Sequence, residues 1–410
     1  MFYREAGQFY TSYAKDQGIF QLKQDKYGLW GILFIAFVVV PVGLYLMVQG
    51  GLMAASTKDY LYNSIFLLLL VNSMAALGLN ILTGYCGQIS LGTAAFMGVG
   101  AFTAFKFSTG LNYRIQKEDE AGELVSELIP LLPAIDNPIL LVLIAGAVTA
   151  VVGVIFGLPS LRIKGFYLAV ATLAAQFFLV WCFSRVEWLY DYVSSSTIQI
   201  PPLKLFGLVV TGSETVMRDG QQVTIYPAAE TKYLICLSLV VFFAFVAKNL
   251  VRGRIGRAWM AIRDMDIAAQ LIGIRPLATK LLAFAVSSFF CGMAGAMSLI
   301  FYLGALEGAE AFNINESFSV LFMVIIGGLG SITGSFLGAG FITLIPIFLV
   351  VSLPWLGGQF GIPVDAAMVE HIQFMIFGAL IIVFLIMEPL GLARLWQIGK
   401  EKLRQWPFPY

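Results

Sequence analysis

Apolar and charged positions segregate along this chain into long charge-free runs, at about 30–48, 61–105, 139–158, 165–184, 233–247, 281–303, 317–350 and 372–387. A helix needs ~20 mainly apolar residues to cross a hydrocarbon core of ~30 Å, so each run predicts a membrane span. Two runs are too long for one helix. At ~1.5 Å per residue, 317–350 would reach about 51 Å and must fold back on itself. The break is visible at Gly327-Gly328-Leu329-Gly330-Ser331, and 61–105 breaks in the same way at Thr83-Gly84-Tyr85-Cys86-Gly87. Eight runs, two of them doubled, predict ten spans. The expected fold is an all-α polytopic membrane protein, with broken or re-entrant helices near 83–92 and 327–334.

Composition agrees with this pattern. The 410 residues are 59% hydrophobic and only 12% charged, about half the ~25% of a soluble domain. A net charge of +1 gives no electrostatic support for a nucleic-acid partner, and the abundance of apolar residues excludes a disordered chain. Cys86, Cys182, Cys236 and Cys291 fall in or beside apolar segments without a CxxC spacing, which reads as small buried hydrophobes rather than a metal or redox pair. Residues 1–29 carry Arg4, Lys15, Lys23 and Lys26 ahead of the first apolar run, so that run is expected to be an uncleaved anchor rather than a cleaved signal.

Basic residues fix an orientation. With the N-terminus inside, inner segments hold 17 basic and 7 acidic residues, and outer segments hold 8 basic and 17 acidic. Both termini are therefore expected in the cytoplasm. The division is a cytoplasmic N-terminal segment 1–29, a membrane domain 30–390 and a cytoplasmic tail 391–410. Within the membrane domain, 249–280 is an inner loop, and 108–137 and 186–231 are outer loops. The loop 108–137 is acidic from Glu118 to Asp136, either a solvated face or a contact for an external protein.

Candidate chemistry is uncharged. Every charged residue falls in a loop or at a span end, with Lys106, Arg185, Glu370 and Glu388 nearest the interior. Ion-coupled carriers place Asp, Glu or His inside the bilayer; here the single histidine, His371, sits at the outer mouth of the last span. Energy for uphill transport is thus expected from another chain. Three segments differ from ordinary spans. In 79–92, Asn80, Gln88 and Ser90 offer neutral hydrogen-bonding groups among Gly84, Gly87 and Gly92. Such glycines either line a cavity with unwound backbone or let helices pack closely, and both readings stand. In 158–172, a basic turn with Arg162 and Lys164 feeds a helix bearing Tyr167, Thr172 and Gln176. In 326–334, Gly327, Gly328, Gly330 and Ser331 faintly echo the first segment, as a duplication or by chance. These residues are the candidate translocation path.

The inner stretch 252–274 contains Arg254, Gly256, Arg257, Ala258, Arg263, Asp264, Asp266, Ala268, Ala269 and Gly273. Its apolar positions from 258 to 271 recur at helical spacing, with a cap or turn at Asp264 or Asp266. A short helix with a small-residue face at Ala268 and Ala269 suits docking into a partner's groove; a surface helix held by lipid phosphates is the plainer reading.

The run 254–273, followed by Lys280-Leu281-Leu282-Ala283-Phe284 and Gly292-Met293-Ala294-Gly295-Ala296, resembles the permeases of branched-chain amino acid ABC importers, and among them the LivM-type subunit. The segments 80–92, 159–172 and 327–340 match that family's other blocks in order, so the resemblance covers roughly 61–390. It implies a chain that pairs with a second LivH-like permease, two cytoplasmic ATP-binding subunits and an external or periplasmic solute-binding protein, in the plasma (inner) membrane of a bacterium. Ala268, Ala269 and Gly273 align with the Glu-Ala-Ala-x3-Gly loop that couples permeases to their ATPases, with Ile267 in place of the Glu. ATP would be bound by the partner subunits, and no cofactor or metal is expected in this chain, which has no GxxxxGK[ST] motif of its own. The turn Val193-Ser194-Ser195-Ser196-Thr197-Ile198-Gln199 departs from the family's Gly-rich, Asn-containing turn, which bears on substrate. Two alternatives remain beside this reading: an ion-coupled secondary transporter of a small neutral solute, and an ABC permease for urea or short amides.

Overall fold

The computed structural model describes residues 23–118, 124–161, 167–192, 197–205, 207–212, 214–218, 221–225, 227–360, 365–387 and 390–405. Every apolar run of the sequence returns as a helix. Among the described residues, seven helices are long and apolar enough to cross a membrane: α1 (Asp25–Gln49), α2 (Ala55–Tyr85), α4 (Pro138–Ser160), α5 (Leu168–Arg185), α6 (Ala229–Arg252), α9 (Pro276–Leu303) and α11 (Ile332–Trp355). The other three are α3 (Thr93–Thr109), α10 (Ile314–Gly327) and α12 (Ala366–Met387). α3 and α10 have 17 and 14 residues; at ~1.5 Å per residue they reach about 26 and 21 Å, short of a ~30 Å core. Each is short because it begins or ends at a break. The chain is a polytopic, helical membrane protein.

α9 lies at the centre, with an almost continuous buried stretch from Ala283 to Met297 packed against α2, α3 and α4. Apolar burial alone cannot hold helices together in lipid; close backbone approach between small residues does. A Cβ on Gly100 of α3 would stand 2.0 Å from the Gly292 oxygen of α9, and one on Gly295 would stand 1.8 Å from the Met97 oxygen. Across the bundle, Asn72 of α2 donates to Thr343 Oγ1 of α11 at 3.0 Å. By contrast, α1 has no buried residue over 35–49 and is held to α6 by the Tyr233 hydroxyl, which donates to the Ala36 oxygen at 3.0 Å.

The all-α membrane domain carries short β-ribbons in the loops 108–137 and 186–231. The 108–137 loop is an antiparallel ribbon of β1 (Leu111–Glu118) and β2 (Leu124–Leu132). The 186–231 loop holds β3 (Thr197–Gln199), β4 (Leu203–Leu205), β5 (Leu208–Thr211), β6 (Glu214–Arg218) and β7 (Gln221–Ile225). β4 pairs with β5, β6 with β7, and β3 with β8 (Ala305–Glu307), which follows α9. Long loops must satisfy their own backbone groups, and ribbons do so locally. Lys106 pins this end of the bundle. It is 2% exposed, ion-paired with Asp191 and 4.7 Å from the Trp188 ring, while Trp188 Nε1 donates to the Asn112 oxygen at 3.1 Å. His371 is exposed. Arg162, Lys164, Ser194, Ser195, Glu388 and residues 1–22 lie outside the described residues, as do the side chains of Tyr167, Glu370 and much of the acidic hairpin.

Candidate functional site

The end of the bundle opposite the ribbons carries both breaks. The last turn of α2, Ile81–Tyr85, is wound as π-helix, a local unwinding that often marks functional positions. The chain then runs non-helically from 86 to α3, and the second break lies between α10 and α11. The two breaks touch. A Cβ on Gly84 would stand 2.2 Å from the Gly330 nitrogen and 2.0 Å from Asn80 Oδ1, so only glycine fits. Gly87 and Gly330 adopt φ of +71° and +74°, where a side chain is strained. Asn80 joins the breaks: Oδ1 accepts from the Gly330 N–H at 2.8 Å, and Nδ2 donates to the Ser331 oxygen and Ser335 Oγ, both at 2.8 Å. Gly327 packs against the Gly334 oxygen and Gly328 against the Leu390 oxygen, which seats the second break on the helix α13 (Gly391–Gln405).

A second cluster surrounds the start of α3, whose first N–H groups have no partner within the helix. Gln176 supplies one partner: Oε1 accepts from the Ala95 N–H at 2.7 Å and from Ser317 Oγ at 3.1 Å, and Nε2 donates to the Phe312 oxygen at 2.8 Å. Ser317 Oγ in turn accepts from the Ala94 N–H at 2.9 Å. Thr172 Oγ1 accepts from the Leu91 N–H at 3.0 Å, Ser90 Oγ accepts from the Gly92 N–H at 3.4 Å, and Gly92 leaves room for the Thr172 oxygen. These groups bind one another across three helices.

Gln88 is the exception. Its side chain is 4% exposed, and neither amide atom has a hydrogen-bond partner among the described residues; Thr93 Oγ1, also buried, is likewise unpaired. A buried unsatisfied polar group costs ~1–3 kcal/mol and calls for an explanation such as a ligand or water. Beside it, burial pushes the Cys86 thiol up to about 12.

The stretch 254–271 forms two helices at this same end, α7 (Arg254–Asp264) and α8 (Asp266–Leu271), turning at the extended residue Met265. Gly256 sits against the Val251 oxygen, and Trp259, fully buried, donates from Nε1 to the Thr279 oxygen at 3.1 Å. Ala258 is half-buried, Arg254 and Arg257 are exposed, and Gly273 ends α8 with φ of +90°. The two alanines part company: Ala268 is exposed, whereas Ala269 is buried. The exposed face is instead apolar, with Met265, Ile267, Leu271 and Ile272 between 66% and 84% exposed. Arg263, near the end of α7 and partly exposed, reaches the first break. Its Nη1 donates to the Gly84 oxygen at 2.8 Å, and Nε pairs with Asp264 at 3.0 Å.

The structure thus gathers Asn80, Gly84, Gly87, Gly330, Ser331 and Arg263 into one contact, and Ser90, Gly92, Thr172 and Gln176 into another. Sequence reasoning did not reach Ser317, Ser335, Trp259 or Thr279. Serine and threonine in an apolar helix carry no sequence signal of which carbonyl or N–H they meet.

A multi-pass bundle with two helices shortened at breaks that touch, beside a short helix pair with an exposed apolar face, has the form of a membrane transport protein. The comparisons with known proteins agree. Residues 61–385 match the family described as "branched-chain amino acid transport system / permease component", and the chain belongs to that family. It is 30% identical over 314 residues to the high-affinity branched-chain amino acid transport system permease protein LivM of Salmonella typhimurium, covering 73% of this chain and 64% of that one. It is 29% identical over 316 residues to LivM of Escherichia coli, with the same coverage. To the probable branched-chain amino acid transport permease protein LivM of Methanocaldococcus jannaschii it is 24% identical over 335 residues, 89% of that protein. The chain thus spans about 64% of the length of the two bacterial relatives. No solved structure matches it.

Proposed function

We propose that this chain is a permease subunit of an ATP-driven importer of branched-chain amino acids, forming half of a translocation path with a second, LivH-like permease in a bacterial inner membrane. The observation that carries the reading is the α7–α8 pair, which offers Met265, Ile267, Leu271 and Ile272 to the outside while Arg263 reaches the Gly84 carbonyl at the break. A surface built to receive another protein is thereby in contact with the part of the bundle most able to rearrange. Two cytoplasmic ATP-binding subunits would dock on that face, so the end carrying both breaks is cytoplasmic. The ribbon end, with loops 108–137 and 186–231, faces outward toward a solute-binding protein.

Along the path, Gln88 is the side chain with free hydrogen-bonding capacity in the first break. An amide suits a zwitterionic or neutral solute, since it donates and accepts without charge. The names of the two bacterial relatives support branched-chain amino acids as cargo.

The test is purification of the tagged chain from mild-detergent membranes, followed by leucine uptake in proteoliposomes of whatever assembles. Co-purification of an ATP-binding subunit and a second permease, with ATP-dependent leucine uptake, is the expected result. Recovery of the chain alone with gradient-driven uptake would replace this reading with an ion-coupled carrier. Uptake of urea or acetamide in place of leucine would keep the importer and change its cargo.

A further inference from the structure

We propose that Arg263 is the positioning residue that transmits movement of α7 into the contact between the two breaks; the proposal rests on the importer reading above and deepens it. Three independent features converge on this side chain. Its guanidinium donates to the Gly84 oxygen at 2.8 Å while Asp264 holds its Nε at 3.0 Å. Its stem occupies the space beside Gly87, where an added Cβ would stand 2.8 Å from Arg263 Cγ. A Cβ on Gly330, in the second break, would stand 3.3 Å from Arg263 Nη1 and 3.2 Å from the Gly84 oxygen. One arginine from the helix pair therefore fills a slot bounded by glycines of both breaks.

The geometry of α7 makes that slot the end of a lever. Its start is fixed: Gly256 is pressed on the Val251 oxygen and Trp259 is buried and bonded to Thr279. Arg263 lies seven positions beyond Gly256, about 10 Å along a helix. A tilt of α7 about its anchored start moves the guanidinium most and the anchors least. What it pulls on is one carbonyl of a π-wound last turn, and that turn touches Gly330 directly. Charge-assisted bonds are the stronger kind and bear such a pull. Asn80 then spreads the displacement, because its amide bonds Gly330, Ser331 and Ser335 together. A bistable element biased from a docking site is what coupling requires. The two breaks, with left-handed backbone at Gly87, Gly328 and Gly330, are the element with room to change.

The experiment uses the whole complex in proteoliposomes with radiolabelled leucine, comparing wild type with Arg263→Gln, Arg263→Lys and Gly84→Ala. Expected for Arg263→Gln is full retention of the ATP-binding subunits and of ATP hydrolysis, with leucine uptake lowered at least about tenfold, so that ATP consumed per leucine rises by the same factor, a loss of ~1.4 kcal/mol of coupling. Arg263→Lys, which keeps a charged donor, should recover part of the coupling. Gly84→Ala should uncouple in the same way without touching α7. Wild-type stoichiometry of ATP to leucine in the Gln variant would overturn the proposal, and so would loss of the ATP-binding subunits from it, which would make Arg263 a docking residue. The contact has a second readout that needs no transport: spin labels at Met265→Cys and Leu329→Cys, both at exposed positions. Their distance distribution should be narrow with Arg263 and broadened with Gln; equal widths would overturn the proposal. A wild-type chain that recruits no ATP-binding subunit would fail the importer reading instead, whatever the spin-label distances show.

Discussion

Asn80 and Gly330, 250 positions apart, are joined by a 2.8 Å hydrogen bond from the Gly330 N–H to the Asn80 side-chain oxygen. With its two donor contacts to Ser331 and Ser335, Asn80 spends its capacity on holding one broken helix to the other. Gln88, eight positions later, spends none. Two neutral amides that look alike in the sequence thus differ in the structure: one is a structural tie, the other a buried group whose bonding capacity no described residue uses.

That contrast separates Gln88 from Gln176. Replacing Gln176 with Ala strands the Ala95 N–H and the Phe312 oxygen in the bundle and should cost roughly 2–4 kcal/mol of stability, seen as a lower melting temperature of the solubilised protein. Gln88→Leu removes two unpaired polar atoms, so melting should stay level or rise while leucine uptake falls. A Gln88 variant that melts early yet transports normally would reverse the assignment.

The docking face should be separable from the fold. Ile267→Asp and Leu271→Asp, at exposed positions, should leave melting within about 0.5 kcal/mol of wild type and abolish co-purification of the ATP-binding subunits. Ala269→Arg forces a charge into a buried position and should lower stability as well. Retention of the subunits by both aspartate variants would place the docking face elsewhere.

Helix packing gives a test that is independent of transport. Gly100→Ala puts a methyl 2.0 Å from the Gly292 oxygen, and the α3–α9 crossing must open at a cost of about 1–3 kcal/mol or more. Gly340→Ala meets only Leu69 Cδ1 at 3.6 Å and should gain about 0.5–1 kcal/mol from helix propensity. Thermal melting of the two variants in detergent should move in opposite directions.

Cys86 reports on the first break. With Cys182 replaced by Ala, N-ethylmaleimide should label the resting protein slowly, because the thiol is buried and its pKa is raised to about 12. The sign follows: only the thiolate reacts, so labelling should keep rising about tenfold per pH unit above pH 9, where an ordinary thiol has levelled off. Trapping the complex with ATP and vanadate should speed labelling if the breaks part; an unchanged rate would mean that they stay closed.

The sequence by itself determined the membrane class, the places of the apolar runs that fold as helices and the two breaks, because a bilayer demands uncharged runs of a fixed length and two of these runs exceed it. It also marked 254–273 as a separate helical unit, since charges interrupt the apolar pattern there. Only the tertiary structure decided which glycines pack and which turn, that Ala268 is exposed while Ala269 is buried, and that the loops 108–137 and 186–231 carry ribbons. It also decided that Arg263 meets the Gly84 carbonyl. The reason is physical. Periodicity and composition record what a segment must exclude from lipid or water, whereas a hydrogen bond between residues 179 positions apart depends on how helices cross, and no local pattern carries that information.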